Sequence, residues 1–167
     1  MGHVWLIGMM GSGKSTVGQL VADRIERPFY DTDELIEQAG DASIPEIFAA
    51  EGESGFRDRE KRVLEDVASR PSGIVATGGG IILDPANVAM MRSSGTIVLL
   101  AGDVETLRRR VGRGDDRPLL AAGAEERFQT IASERRELYR SSADVVVDAT
   151  GTVDAVVAEV EAACSES

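Results

Sequence analysis

Cysteine is nearly absent from this chain, which contains a single one, Cys164. One cysteine cannot form a disulfide within the chain, and so few cysteines are typical of proteins that fold in a reducing compartment. We therefore expect a cytoplasmic protein in which Cys164 is a small apolar residue of the last helix.

Long hydrophobic runs are also absent. No apolar stretch approaches the roughly 20 residues of a membrane-spanning helix. The first apolar run begins at residue 4, which leaves no room for a signal peptide. We expect no membrane attachment. A chain of 167 residues, 43% of them hydrophobic, is expected to form one globular domain over residues 1–167.

Positive charge is in short supply. The 18 Lys and Arg residues face 29 Asp and Glu residues, which gives a formal net charge of −11. This excess of negative charge argues against nucleic acid or anionic lipid as the main partner. An anionic ligand would need a local positive pocket on an acidic protein.

A glycine-rich segment near the N-terminus supplies such a pocket. Residues 8–16, Gly-Met-Met-Gly-Ser-Gly-Lys-Ser-Thr, have the spacing of a phosphate-binding loop. Glycines let several backbone N–H groups point at one anion, Lys14 reaches the β- and γ-phosphates, and the Ser15 hydroxyl suits Mg²⁺. An apolar strand precedes the loop and a helical pattern follows it, so a glycine-rich turn that matches by chance is the weaker interpretation.

Short apolar runs alternate with helical patterns along the rest of the chain. The runs predict five strands, at 4–7, 28–31, 73–77, 96–100 and 144–148. This alternation predicts an α/β fold, a three-layer sandwich in which helices flank a five-stranded parallel sheet. Helix starts are indicated by the Ser43–Glu46 capping box, by Asp84-Pro85 and by Thr152. Parallel sheets bind ligands beyond the carboxyl ends of their strands.

Two polar segments follow predicted strands. Asp31-Thr32-Asp33 follows the second strand, where one carboxylate could serve a metal and the other an acceptor hydroxyl. Asp33 or Thr32 could equally well cap a helix over 34–38. Gly78-Gly79-Gly80 follows the third strand and leaves the backbone bare for the close approach of a ligand, although a flexible turn has the same composition.

Two helices carry charged residues within apolar stripes. Over 55–69, Glu60 lies in the middle of the stripe and Arg57 lies one turn earlier, which fits a structural ion pair as well as a ligand site. Over about 124–142, an apolar stripe contains Phe128, Ile131, Ala132, Leu138 and Tyr139. At about 100° per residue, Arg135 points near the centre of that stripe and Arg136 toward its edge, so Arg135 is the better candidate for binding an anion.

Residues 112–123 lie between two helical patterns and are rich in glycine and charge. This composition predicts a mobile flap, or lid, that could place an arginine over phosphates. A solvated loop is the competing interpretation.

In its ordered set of motifs, the whole chain resembles the shikimate kinase family. The motifs are Gly8–Thr16, Asp31-Thr32-Asp33, Gly-Glu-x-x-Phe-Arg over 52–57, Gly78-Gly79-Gly80, Arg-Pro-Leu-Leu over 117–120 and Arg-x-x-Leu-Tyr over 135–139. The resemblance implies a P-loop kinase fold of the nucleoside-monophosphate-kinase type, with a substrate-binding segment at about 31–61 and a lid at about 112–123. It also implies an enzyme of chorismate and aromatic amino-acid biosynthesis that phosphorylates the 3-hydroxyl of shikimate with ATP and Mg²⁺.

The resemblance also implies a role for each matching residue. Asp33 faces the acceptor hydroxyl and, with Lys14 and Arg117, forms the catalytic set. Arg57 and Arg135 hold the substrate carboxylate, with Gly79 and Gly80 beside it. Ser15 binds Mg²⁺ directly and Asp31 binds it through water. The nucleotide-binding residues are Gly11, Ser12, Gly13, Lys14, Ser15, Thr16, Arg110 and Arg117.

Two other functions remain as alternatives. A P-loop kinase acting on gluconate or a nucleoside monophosphate would keep residues 8–16 without needing the other motifs. A nucleotide-binding regulator without catalytic activity would not need Lys14, Ser15, Asp33 and Arg117 together. We expect ATP and shikimate as partners and a monomeric state, because nothing in the sequence requires an oligomer.

Overall fold

A five-stranded parallel sheet forms the centre of the protein. The computed structural model describes residues 2–111 and 124–165. The strands are β1 (His3–Ile7), β2 (Phe29–Asp31), β3 (Ile74–Ala76), β4 (Gly95–Ala101) and β5 (Val145–Asp148), in the order β2-β3-β1-β4-β5. Every neighbouring pair is parallel, as the alternation of strands and helices predicted.

Seven helices occur among the described residues. They are α1 (Lys14–Arg24), α2 (Thr32–Gly40), α3 (Ile44–Ser69), α4 (Pro85–Ser94), α5 (Val104–Val111), α6 (Ala124–Ser142) and α7 (Val153–Ser165), and a 3₁₀ turn covers Ile81–Leu83. Within the described ranges, no helix combines the length and the apolar character needed to cross a membrane.

The two faces of the sheet pack into two separate apolar cores. The residues of β1 alternate between them: Val4 and Leu6 pack against α1 and α7, whereas Trp5 and Ile7 pack on the side of α3, α4 and α6. Side chains of successive strand residues point to opposite faces, so a strand buried on both faces is a continuous apolar run. The predicted three-layer arrangement is confirmed. Cys164 is buried in the α1–α7 core, as expected.

Three predicted helix starts are confirmed. The Glu46 carboxylate accepts hydrogen bonds from the backbone N–H (2.8 Å) and hydroxyl (2.7 Å) of Ser43. Asp84 accepts from Ala86 N–H at 2.8 Å ahead of α4, and Thr152 accepts from Ala155 N–H at 3.3 Å ahead of α7.

The alternative interpretation, in which Asp33 or Thr32 caps a helix over 34–38, is wrong. The helix begins at Thr32, and its cap is Asp31, whose Oδ1 accepts from the N–H groups of Asp33 (3.0 Å) and Glu34 (3.4 Å). Asp31 is the last extended residue, with φ −114° and ψ 117°, so its side chain reaches back over the first turn. Asp33 is therefore inside the helix and is not its cap.

The predicted helix over 55–69 is the second half of a longer helix. α3 begins at Ile44 and bends at Gly52, where φ is 69° and ψ is −174°. This backbone conformation is essentially restricted to glycine. The bend separates a short first segment beside α2 from the segment that packs on the sheet.

Candidate active site

The phosphate loop follows the central strand β1. Its glycines Gly8, Gly11 and Gly13 all have positive φ, at 146°, 82° and 87°. A side chain at Gly8 would also place its Cβ 2.7 Å from the carbonyl oxygen of Leu100 in β4. Both observations explain why this sequence needs glycine there. The consecutive predicted nucleotide-binding residues, Gly11 to Thr16, run from this turn into the first turn of α1.

Lys14 curls back over the loop that precedes it. Its Nζ donates to the carbonyl oxygens of Gly8 at 2.7 Å and Met9 at 3.0 Å, and lies 3.4 Å from the Ser12 hydroxyl. An ammonium group held above the amides at a helix N-terminus concentrates positive potential at one point. The arrangement suits the terminal phosphates of a nucleotide.

The two predicted metal-binding residues are adjacent. Ser15 Oγ donates to Asp31 Oδ2 at 2.6 Å, while Oδ1 of the same carboxylate caps α2. A hydroxyl and a carboxylate oxygen are hard donors of the type Mg²⁺ prefers, and that ion usually takes few protein ligands and completes its shell with phosphates and water. The donor set therefore fits Mg²⁺ bound together with a nucleotide.

Asp33 and Glu60 both approach Gly78. A Cβ at Gly78 would lie 2.8 Å from Asp33 Oδ1 and 3.3 Å from Glu60 Oε1. The peptide of Gly78 is fixed by its N–H, which donates to the Thr32 hydroxyl at 3.2 Å. Gly78 is thus needed because two carboxylates, one from α2 and one from α3, come close to its backbone. A flexible turn would have no such need for glycine at this position.

Glu60 is buried in the site, with 1% of its surface exposed. Its Oε2 accepts from Arg57 Nη1 at 2.8 Å, and its Oε1 has no hydrogen-bond partner among the described residues. Burial raises the pKa of Glu60 above its ordinary value; the hydrogen bond and charge of Arg57 oppose this shift, whereas the charge of Asp33 adds to it. The predicted contact between Arg57 and Glu60 is confirmed.

The third glycine accommodates Arg57. A side chain at Gly80 would collide with the guanidinium of Arg57. Arg57 keeps 28% of its side chain exposed and also lies 3.6 Å from Glu53. One donor edge of this arginine is therefore occupied by Glu60, and the group remains accessible from solvent.

Arg135 reaches the same loop from α6. Its Nη1 donates to the carbonyl oxygen of Gly79 at 3.1 Å, whereas Arg136 is exposed. The prediction that Arg135 and not Arg136 turns inward is confirmed. The inclusion of Leu138 in the apolar stripe was wrong, because this side chain is 37% exposed. It lies about 80° around the helix from Phe128, at the edge of the stripe.

Arg110 lies at the same edge of the sheet. Its guanidinium donates to the carbonyl oxygens of Ala149 at 2.7 Å and Gly151 at 3.4 Å, in the turn after β5. The remaining predicted residue, Arg117, and the predicted lid over 112–123 lie outside the described residues.

Sequence analysis did not identify two features of the site, the hydrogen bond of Tyr139 and a cavity beside the phosphate loop. Tyr139 was placed in an apolar stripe and in the motif over 135–139 without a role of its own, yet its hydroxyl donates to the carbonyl oxygen of Gly79. A cavity of about 580 Å³ adjoins the phosphate loop and is lined by Met9, Gly102, Arg136, Tyr139 and Thr150, among others. The residues after β4 and β5 form no recognisable motif, so the sequence indicated this cavity only through the rule that parallel sheets bind ligands beyond the carboxyl ends of their strands.

Comparison with known proteins gives one consistent result. A family model described as shikimate kinase matches residues 10–165. A shikimate kinase of Nitrosomonas europaea is 44% identical over 148 residues, covering 88% of this chain and 70% of the relative. One from Burkholderia lata is 39% identical over 167 residues, covering 96% and 91%. The structure of shikimate kinase from Acinetobacter baumannii in complex with shikimate matches with a TM-score of 0.91 and 35% identity, over 99% of this chain and 94% of that one.

Proposed function

This chain belongs to the shikimate kinase family, and from that membership we infer that it transfers the γ-phosphate of ATP to the 3-hydroxyl of shikimate. The products are shikimate 3-phosphate and ADP, in a step of chorismate and aromatic amino-acid biosynthesis. The observation that carries the inference is the family match over residues 10–165, which includes every predicted site residue from Gly11 to Arg135. Gluconate and nucleoside monophosphates are not favoured as acceptors, because the family match extends well beyond the phosphate loop.

The phosphate loop would supply the charge that phosphoryl transfer requires. This reaction needs alignment and neutralisation of charge more than covalent chemistry by the protein. The amides of residues 11–16 and the Lys14 ammonium would surround the terminal phosphates. Lys14 would exchange its present carbonyl partners, Gly8 and Met9, for phosphate oxygens. We also assign Arg117 and Arg110 to the nucleotide, over the phosphates and near the adenine respectively.

Ser15 and Asp31 would hold the magnesium ion, Ser15 directly and Asp31 through water. Bound there, Mg²⁺ would neutralise charge on the phosphate oxygens. The support is their 2.6 Å contact and the capping bonds that fix the Asp31 carboxylate.

Asp33 would orient the acceptor hydroxyl and take its proton as the new P–O bond forms. It is in the first turn of α2, which follows β2, and lies close to the Gly78 backbone after β3; the phosphate loop follows β1, the next strand of the sheet. A carboxylate is a suitable proton acceptor only if it stays ionised, and the positive charge of the bound metal and of Lys14 would favour this state.

Arg57 and Arg135 would bind the shikimate carboxylate, with the backbone of Gly79 and Gly80 beside it. The two guanidinium groups approach the same glycine loop from different helices, α3 and α6. Glu60 neutralises one positive charge of the pair and the exposed Glu53 lies 3.6 Å from Arg57, so Arg135 would supply most of the positive charge that attracts the ligand. We further propose that the enzyme acts as a cytoplasmic monomer and has no nucleic-acid partner, in line with its net charge of −11.

Release of ADP tests this function. The purified protein would be incubated with ATP and Mg²⁺ and with shikimate, gluconate, AMP or no acceptor. We expect rapid ADP release only in the reaction that contains shikimate as the acceptor. Equal release with all four would reject shikimate as the acceptor and would indicate a plain ATPase.

A further inference from the structure

The carbonyl oxygen of Gly79 accepts hydrogen bonds from two side chains of the same helix. Arg135 Nη1 donates at 3.1 Å, and the Tyr139 hydroxyl donates as well. The two donors are four residues apart in α6 and so lie on the same side of it. A carbonyl oxygen has two lone pairs, so these two donors fill its capacity.

The peptide of Gly79 lies where three parts of the site meet. A Cβ at Gly79 would be 3.4 Å from the Tyr139 hydroxyl oxygen and 3.7 Å from the carbonyl oxygen of Gly8 in the phosphate loop. Its neighbours Gly78 and Gly80 contact Asp33 and Arg57, respectively. A shift of this peptide would therefore disturb the base, the carboxylate site and the phosphate loop together.

The two donors differ in how firmly they are placed. Tyr139 is 4% exposed and belongs to the core between α6 and the sheet, so its ring is fixed by packing. Arg135 is half-buried on a long flexible side chain. Its planar fork pairs better with a carboxylate than with a single carbonyl oxygen. A carboxylate ligand would thus draw Arg135 away and leave Tyr139 behind.

We propose that Tyr139 is a positioning residue for the substrate: it holds the Gly79 carbonyl so that Arg135 can leave that carbonyl for the substrate carboxylate. The proposal rests on the proposed function, which assigns the carboxylate to Arg135. Without the hydroxyl, Gly79 would lose its last side-chain donor when Arg135 moved. Substrate binding would then be weaker, because it would leave the Gly79 carbonyl without a side-chain donor. Arg135 would tend to stay hydrogen-bonded to Gly79 and not to bind the substrate carboxylate.

The test is Tyr139→Phe, which removes only the hydroxyl. We expect the KM for shikimate to rise about three- to ten-fold, the range given by the loss of one hydrogen bond. kcat should change much less, and the KM for ATP should be unchanged. The thermal midpoint of the free enzyme should fall little, because Arg135 still satisfies Gly79 before substrate binds.

Tyr30→Phe is the matched control. Tyr30 and Tyr139 are the chain's two tyrosines. The Tyr30 hydroxyl also donates to a backbone carbonyl, that of Pro71, at 3.0 Å. Its loss should leave the KM for shikimate unchanged. The same rise in KM in both variants would overturn the proposal. So would a Tyr139→Phe protein that fails to fold. A Tyr139→Phe protein that folds and melts far below the wild type, but has an unchanged KM for shikimate, would also overturn it.

A double variant with Arg135→Lys tests the coupling between the two side chains. Where no guanidinium has to leave Gly79, adding Tyr139→Phe should raise the KM by less than it does in the wild type. Fully multiplicative effects would overturn the proposal. If the wild type itself fails to phosphorylate shikimate, the proposed function fails and this inference with it. If the wild type is active and Tyr139→Phe leaves its KM unchanged, only this inference fails.

Discussion

Asp31, Asp33 and Glu60 are three carboxylates near the same strand ends, and their surroundings give them different roles. Asp31 is engaged by Ser15 and by the N–H groups of α2. Glu60 is enclosed and pairs with Arg57, and burial raises its pKa. Asp33 is placed between them, against bare glycine backbone. The residue type is nearly the same in each case, and the difference in environment is what supports assigning metal binding to Asp31, proton transfer to Asp33 and the positioning of an arginine to Glu60.

Replacing Asp33 by Asn tests the role of the base. The amide keeps the shape of the side chain and loses its capacity to accept a proton. We expect kcat to fall by roughly 10²–10⁴-fold with little change in ATP affinity. Steady-state kinetics and ATP titration measure this, with the exposed Asp58→Asn in α3 as the control. Unchanged turnover in Asp33→Asn, with only a loss of stability, would assign Asp33 a purely structural role.

Replacing Arg135 by Lys tests the carboxylate site. Lysine keeps the charge and loses the paired hydrogen bonds of a guanidinium, so the KM for shikimate should rise about ten-fold or more at near-normal ATP affinity. Arg136 is exposed and borders the cavity beside the phosphate loop, so Arg136→Lys should leave the KM for shikimate nearly unchanged. The same kinetics with the methyl ester of shikimate complete the test. An ester as good as the free acid, or a sensitive Arg136, would exclude the proposed carboxylate contact.

For single residues, the sequence predicts the direction in which a side chain points better than it predicts the hydrogen-bond partner of that side chain. Helical periodicity alone shows that Arg135 faces inward and Arg136 does not, because about 100° separates neighbouring residues. It does not show that the partner of Arg135 is the carbonyl of Gly79, 56 residues away along the chain. Nor does it show the partner of the Tyr139 hydroxyl, because Gly79 is 60 residues away along the chain and the ring of Tyr139 follows the apolar pattern.

Helix α3 shows how one residue shapes an element. The bend at Gly52 has φ 69° and ψ −174°, yet a Cβ there would meet no atom within 4 Å. Space is therefore available and the backbone conformation is the constraint. The bend lets Ile44–Glu51 lie beside α2 while the later turns present Phe56, Glu60 and Leu64 to the core.

Gly52→Ala should therefore destabilise the protein without a steric clash. We expect the free energy of unfolding to fall by about 1–3 kcal/mol, the usual cost of this strained conformation. Gly151→Ala, at an exposed turn without positive φ, should change it by less than about 0.5 kcal/mol. Urea titration of both variants measures the difference. Equal stability of the two would show that Gly52 is not strained.

The elements themselves were largely predictable. Apolar runs predicted the five strands, because the central strands are buried on both faces and the edge strands β2 and β5 still contain two or three consecutive apolar residues. Capping residues predicted three helix starts. The bend at Gly52 and the capping role of Asp31 were missed. Both features depend on the backbone angles at one residue. Glycine and aspartate can adopt these angles but do not always do so, and their presence in the sequence therefore does not predict the feature.

Across the whole molecule, the binding residues and His3 lie at opposite ends of the sheet. His3 begins β1, and the phosphate loop follows its other end. His3 is 2% exposed, its Nδ1 accepts from Gly73 N–H at 3.2 Å, and its Nε2 has no hydrogen-bond partner within the described ranges. Burial lowers the pKa of His3, and the charge of Arg27 lowers it further.

Stability should therefore decrease as the solution becomes acidic. Well above pH 6.5, the ordinary pKa of histidine, His3 is neutral in both the folded and the unfolded chain and does not affect the free energy of unfolding. Below that pH the unfolded chain binds a proton that the folded protein resists, so the free energy of unfolding falls. Urea titrations at pH 7.5, 6.5 and 5.5 should show a steeper fall for the wild type than for His3→Gln, with kcat unchanged at pH 7.5. Identical pH profiles would contradict this.

The identity of the reaction product decides whether this protein is a shikimate kinase that acts on the 3-hydroxyl. Phosphorus NMR of a reaction with ATP, Mg²⁺ and shikimate should show one new phosphomonoester coupled to the proton on C3 of the ring, appearing in step with ADP. The signal should be nearly lost in Asp33→Asn. If ADP and inorganic phosphate were the only products, or if the new ester were at another hydroxyl, the protein would not phosphorylate the 3-hydroxyl of shikimate.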